Sequence, residues 1–160
     1  MLESPGFKPC VFIPVYNHHQ VLGATLDRIH AFGLPIIVVD DGSQAESRAI
    51  LESLVAARPW VELVTHPHNR GKGGAIKTGL REAGTLGYTH ALQIDADGQH
   101  DIDDIPRFIA LAAAAPDTLI AGRPAYDTVA QAASGYLNLL INPANPRVVG
   151  PALADAMTGF

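Results

Sequence analysis

Ile36-Ile37-Val38-Val39-Asp40-Asp41-Gly42-Ser43 is a run of four β-branched residues that stops on two carboxylates, a glycine and a hydroxyl. A run with no polar alternation suits a strand buried on both faces, as in a parallel sheet, and Asp and Gly close it as turn residues. The segment that follows changes period: Ile50, Leu51, Leu54 and Val55 form a helical stripe, and Ser43 with Glu46 reads as a capping box at its start. Strand, polar turn and helix form a unit that recurs on either side.

Upstream, Cys10-Val11-Phe12-Ile13 is a short apolar run closed by Pro14, followed by Leu22, Leu26 and Ile29 at helical spacing. Downstream, residues 60–65 read as a third strand. Ala75, Ile76, Gly79, Leu80 and Ala83 form a helical stripe, and His90-Ala91-Leu92-Gln93-Ile94 is a fourth strand closed by Asp95. Ile105, Phe108, Ile109 and Ala112 form a further helix, and residues 118–121 a fifth strand closed by Gly122. Such alternation predicts right-handed crossovers and an α/β fold, a three-layer α/β/α sandwich on a mostly parallel sheet. Ligands then bind at the carboxyl ends of the strands. After Asp127 the pattern fades; a short helix is predicted over 130–140, and the chain reads as one domain over 1–160.

Bulk properties exclude several classes. In 160 residues, 48% are apolar and 17% charged, an ordinary globular balance, and the formal charge of −5 argues against nucleic acid as a partner. The single cysteine, Cys10, rules out a disulfide within the chain and points to a reducing compartment. There is no signal-peptide pattern and no apolar run near the roughly 20 residues of a membrane span, so a cytoplasmic location is expected.

The polar clusters lie at the strand ends. In Asp95-Ala96-Asp97-Gly98-Gln99-His100 two carboxylates one residue apart leave strand geometry together and can turn toward one point. Hard cations such as Mg²⁺ or Mn²⁺ take such oxygens, and Mg²⁺ completes its shell with substrate phosphate. Gly98 permits a tight turn and Gln99 offers another oxygen; a solvated turn is the alternative. Asp40 and Asp41 can accept hydrogen bonds from a nucleobase or a ribose, or merely close a strand-to-helix turn. In Ile13-Pro14-Val15-Tyr16-Asn17, Pro14 stops the ladder, Tyr16 can stack on a ring, and Asn17 can bond a base or cap the next helix. Asn69-Arg70-Gly71-Lys72-Gly73-Gly74-Ala75 is glycine-rich and cationic just before a helix, which favours an anion. It matches neither a Walker loop nor the dinucleotide fingerprint. The seven histidines show no zinc spacing, although His100 adjoins the acidic loop.

Taken together and in order, these four clusters resemble family 2 glycosyltransferases of the GT-A fold, in the polyprenyl-phosphate mannose and glucose synthase-like branch, over residues 8–126. The resemblance implies a UDP- or GDP-sugar donor and inverting transfer, with Pro14, Tyr16 and Asp41 around the nucleoside, Asn17 beside them, and Asp40 supporting that loop. Arg70 and Lys72 would lie near the donor. Asp95 and Asp97 would form a D-x-D element, with Asp97 and Gln99 nearest a divalent Mg²⁺ or Mn²⁺. Asp155-Ala156-Met157-Thr158-Gly159-Phe160 looks like the family's later acceptor-side element, and Asp155 is the candidate base for a hydroxyl acceptor. The acceptor would be a lipid phosphate, such as a polyprenyl phosphate, or a glycan of the cell envelope. That implies peripheral association with the inner face of the membrane. Relatives continue past this element, so residues 127–160 are expected to form only part of an acceptor region, in a chain truncated at its C-terminus. Only Arg147 is basic between Asp127 and the end, fewer than the resemblance leads one to expect. Two rivals stand beside this reading: a nucleotide-sugar-binding domain without turnover, and a receiver-like signalling domain. The second is disfavoured because no lysine follows Lys77.

Overall fold

The computed structural model describes residues 6–116, 119–121 and 131–134. Strand β1 (Pro9–Val15) leads to helix α1 (Leu22–His30), β2 (Ile36–Asp40) to α2 (Ala45–Ala56), and β3 (Val61–Thr65) to α3 (Gly71–Thr85). Strand β4 (His90–Gln93) is followed by a short 3-10 turn, α4 (Ile105–Ala114), β5 (Leu119–Ala121) and β6 (Gln131–Ser134). One sheet takes the six strands of the described residues in the order β3-β2-β1-β4-β6-β5. The first four strands run parallel, with Val15 opposite Asp40 and Asp40 opposite Thr65. β6 runs antiparallel to both β4 and β5.

Alternation along the strands sorts the core into two layers. Val11, Ile13 and Val15 of β1, with Ile36 and Val38 of β2, pack under Leu22, Leu26 and Ile29 of α1, Leu51 of α2, and Ile105 and Ile109 of α4. Cys10 and Phe12, with Ile37 and Val39, face the other way onto Ala75, Ile76, Leu80 and Ala83 of α3. Helices on both faces make the three-layer sandwich and explain why β1 and β2 are apolar without alternation, and why all four residues of β4 are buried although two are polar. Each fully buried Leu or Ile contributes about 2 kcal/mol by burial alone. Cys10 is a free, buried core residue, and burial pushes its thiol up to about 12.

The α3 stripe matches its sequence reading residue for residue. The α2 stripe does not, because Ile50 is exposed while Leu51 is sealed. No capping box forms either: Gln44 is the N-cap residue of α2 and no side chain of the helix caps it. Ser43 lies one position too early, and its hydroxyl instead accepts the Asn17 N–H. The helix predicted over 130–140 also differs, since Gln131–Ser134 is a strand. β4 offers an open ladder there, and inter-strand pairing outweighs the weak intrinsic preference of small residues.

Candidate active site

The carboxyl ends of β1, β2 and β4 and the start of α3 enclose a cleft of about 410 Å³, a size usual for small-molecule sites. Pro14, Val15, Tyr16 and His18 line it from the β1 end, Asp41 from the β2 end, Asn69, Lys72 and Ala75 from the α3 side, and Asp95, Ala96 and Asp97 from the β4 end. Tyr16 is 45% exposed, a large aromatic surface left open at that cleft.

The β2 end is tightly tied. Asp40 is sealed; its Oδ1 accepts the Ser43 N–H at 2.9 Å and its Oδ2 the Arg48 Nε–H at 3.2 Å. Asp41 Oδ1 lies 2.7 Å from His66 Nδ1 and accepts the Arg70 N–H at 2.9 Å. Gly42 has a φ of +73°, and a Cβ there would sit 2.3 Å from the His68 carbonyl carbon. Only glycine lets the β3-α3 loop come this close. Asn17, at a φ of 56°, occupies the left-handed region that Asn tolerates. Its Oδ1 accepts the Gln44 N–H at 2.9 Å, so it holds the start of α2 rather than the helix that follows it.

The β4 end is looser. Asp95 Oδ2 accepts from Lys72 Nζ at 2.9 Å and Oδ1 from Gln93 Nε2 at 3.1 Å. Burial raises the pKa of the Asp95 carboxyl, but neighbouring His100, Lys72 and Gln93 outweigh it and the value falls to about 2. His100 Nε2 already accepts the Asp95 N–H at 2.8 Å and stands 3.7 Å from Oδ2. The Lys72 ammonium is therefore the contact that geometry supports most directly. Asp97 is exposed, and its Oδ1 accepts the Gln99 N–H at 3.0 Å in a turn completed by Gly98 at a φ of +75°. Asp97 Oδ2 carries no hydrogen bond among the described residues.

Pro14, Tyr16, Asp41, Lys72, Asp95 and Asp97 thus share one cleft. Asp40, Asn17, Arg70 and Gln99 are not among its lining residues. The first two brace loops, while the Arg70 and Gln99 backbone N–H groups bind Asp41 and Asp97. Asp40 and Asp41 do not open together as an acidic pocket, which removes the ground for a receiver-like reading. Asp155 lies outside the described residues. His66 and His18 were missed by sequence reasoning, which took Asn69 only as the start of the cationic cluster; the register Asp40 to Thr65, which sets His66 beside Asp41, could have found the first.

Among the described residues no group of three or more His, Cys, Asp or Glu side chains gathers to hold a metal. Asp95 and Asp97 on one wall fit a hard cation whose shell a ligand's phosphate oxygens complete. Among the described residues, too, no helix is long and apolar enough to cross a membrane.

The model of the family described as glycosyl transferase family 2 matches residues 10–157. Over 112 residues the chain is 33% identical to the UDP-N-acetylglucosamine–dolichyl-phosphate N-acetylglucosaminyltransferase of Methanococcus voltae, covering 62% of this chain and 45% of that protein. Over 122 residues it is 31% identical to the polyprenol monophosphomannose synthase of Mycolicibacterium smegmatis, covering 74% and 46%. Among solved structures, the mannosyltransferase PcManGT from Pyrobaculum calidifontis, in complex with GDP-Man and Mn²⁺, aligns with a TM-score of 0.56 at 26% identity over 71% of this chain and 34% of that one. The chain spans less than half the length of each of these proteins.

Proposed function

The chain belongs to glycosyl transferase family 2 and has its GT-A fold, and from that premise we propose that it takes part in moving a sugar from a UDP- or GDP-sugar to an acceptor. The acceptor in this reading is a polyprenyl phosphate or another envelope lipid or glycan, reached at the inner face of the membrane. The observation that carries it is the convergence of Asp41, Lys72, Asp95 and Asp97 on one cleft at the carboxyl ends of the parallel strands.

In this reading Tyr16, Pro14 and Asp41 hold the nucleoside, with the Asp41 carboxylate receiving a base N–H. Asp97, with its free Oδ2, and Asp95 would hold a divalent ion against the donor diphosphate. A bound Mg²⁺ or Mn²⁺ supplies Lewis-acid neutralisation of the leaving diphosphate, worth several kcal/mol in such sites. Lys72 adds a second positive charge on the same side and keeps Asp95 ionised. Attack from the opposite face inverts the anomeric carbon. A lipid phosphate attacks as an anion and needs no base; a hydroxyl acceptor needs one, the role left to Asp155.

Calorimetry of the full chain with UDP and with GDP, with Mn²⁺ and after chelation, tests the reading. Binding should depend on the metal, and Asp97→Ala should remove the metal-dependent part. Equal affinity after chelation, or no binding of either nucleotide, overturns it. Transfer of labelled sugar to a polyprenyl phosphate then distinguishes a transferase from a binding domain without turnover.

A further inference from the structure

The base of the donor is written into the way Asp41 is held, a conclusion that rests on the nucleotide-sugar reading above. Asp41 is only 3% exposed yet lines the cleft. Its Oδ1 is contacted by two donors, the His66 ring at 2.7 Å and the Arg70 N–H at 2.9 Å. A carboxylate oxygen has about two acceptor sites, so Oδ1 is filled. His66 is itself pinned, with Nε2 2.8 Å from Thr78 Oγ1 and its side chain 5% exposed. Asp41 Oδ2 has no partner among the described residues, and it is not sealed. The one buried side-chain polar atom there without a partner is His19 Nδ1. Asp41 therefore offers the cleft one oxygen, not two. Asn69, which lines the same cleft from the α3 side, accepts the Gly71 N–H at 2.9 Å through its Oδ1, which leaves its Nδ2 amide as a donor.

We infer that His66 is a positioning residue that restricts Asp41 to one free oxygen, so that the cleft selects uracil over guanine in its nucleoside diphosphate. Uracil presents one imide N–H between two carbonyls. Asp41 Oδ2 takes that N–H, and the Asn69 amide is the matching donor for a carbonyl. Guanine presents two adjacent donors, N1–H and N2–H, which a carboxylate meets with both oxygens. With Oδ1 filled, both must crowd onto Oδ2 with poorer alignment than one oxygen each would give, which lowers affinity by about tenfold.

The test is calorimetry of the full chain with UDP and with GDP in Mn²⁺, for the wild type, His66→Leu, His66→Asn and Thr78→Val. Wild type should bind UDP at least about tenfold more tightly than GDP. His66→Leu should bring the ratio to within about threefold by releasing the second acceptor site of Oδ1 while the Arg70 N–H keeps the first, whereas His66→Asn, whose amide nitrogen can take the place of Nδ1, should keep it. Thr78→Val should shift the ratio in the same direction as His66→Leu by a smaller factor, and it carries the positioning test should His66→Leu fail to fold by circular dichroism. GDP binding as tightly as UDP in the wild type overturns the inference and leaves the broader reading standing. A ratio unmoved in the folded variants overturns the role of His66. Absence of binding by both nucleotides sinks the nucleotide-sugar reading itself.

Discussion

At the end of β2, Asp40 and Asp41 are 0% and 3% exposed, and their side chains are tied to Ser43, Arg48, His66 and Arg70. At the end of β4, Asp97 stands in solvent with one oxygen free, and Asp95 leans on an exposed lysine. Both are acidic pairs that close an apolar strand, and both contribute to the same cleft. The β2 pair is part of the scaffold that aligns two loops. In the β4 pair Asp95 is tied to Lys72 and Gln93, and only Asp97 keeps an oxygen free in solvent. Stability should therefore concentrate at the β2 end, where only one oxygen of Asp41 is left for the cleft, and the response to a metal ion at the β4 end.

Substitutions can break that contrast. Gly42→Ala carries the largest expected effect, at least about 4 kcal/mol of destabilisation, because a backbone clash and a left-handed φ act together; urea unfolding measures it, and a loss below about 1 kcal/mol would refute the close loop approach. Asp40→Ala should cost about 2 kcal/mol in the same assay, since it leaves the Ser43 N–H without its acceptor and Arg48 with only the His66 carbonyl. Asp95 gives an intermediate effect through pH. Its carboxyl is lowered from 3.8 to about 2, so its stabilisation is fully present above 3.8 and lost as pH falls through about 2. The amount is about 2 kcal/mol at most. Lys72→Met should flatten this acid limb in urea midpoints taken from about pH 5 downward. Asp97→Ala should be the mildest, within about 1 kcal/mol of wild type in unfolding, even as metal-dependent nucleotide binding is lost. A large drop in stability there would place Asp97 in the scaffold and erase the distinction.

Much of the sheet could be read in advance because β1 and β2 are buried on both faces, a condition that favours near-continuous apolar runs, while β4 is buried with a polar residue at each end. The cleft residues at strand ends were legible for the same reason: the parallel order brings all carboxyl ends to one side. What escaped are lateral contacts. Asn17 and Ser43 are 26 positions apart and meet only because β1 pairs with β2. His66 reaches Asp41 only through the β2-β3 register. Ser43 with Glu46 looked like a cap because local spacing cannot tell which residue begins the helix once a distant Asn17 has claimed that hydroxyl. β6 was missed because its small residues carry little pattern, and the open ladder of β4 decided its conformation.

The placement of β6 has a practical consequence. The strand that carries the acidic loop is four residues long and is flanked on one side by β1 and on the other by chain from beyond residue 126. Cutting the protein after the four recognisable motifs would strip β4 of that neighbour and turn it into a bare edge, a template for a second molecule to add to. The shortest piece expected to stay monodisperse must retain residues 131–134, although the four clusters at the strand ends stop well before them.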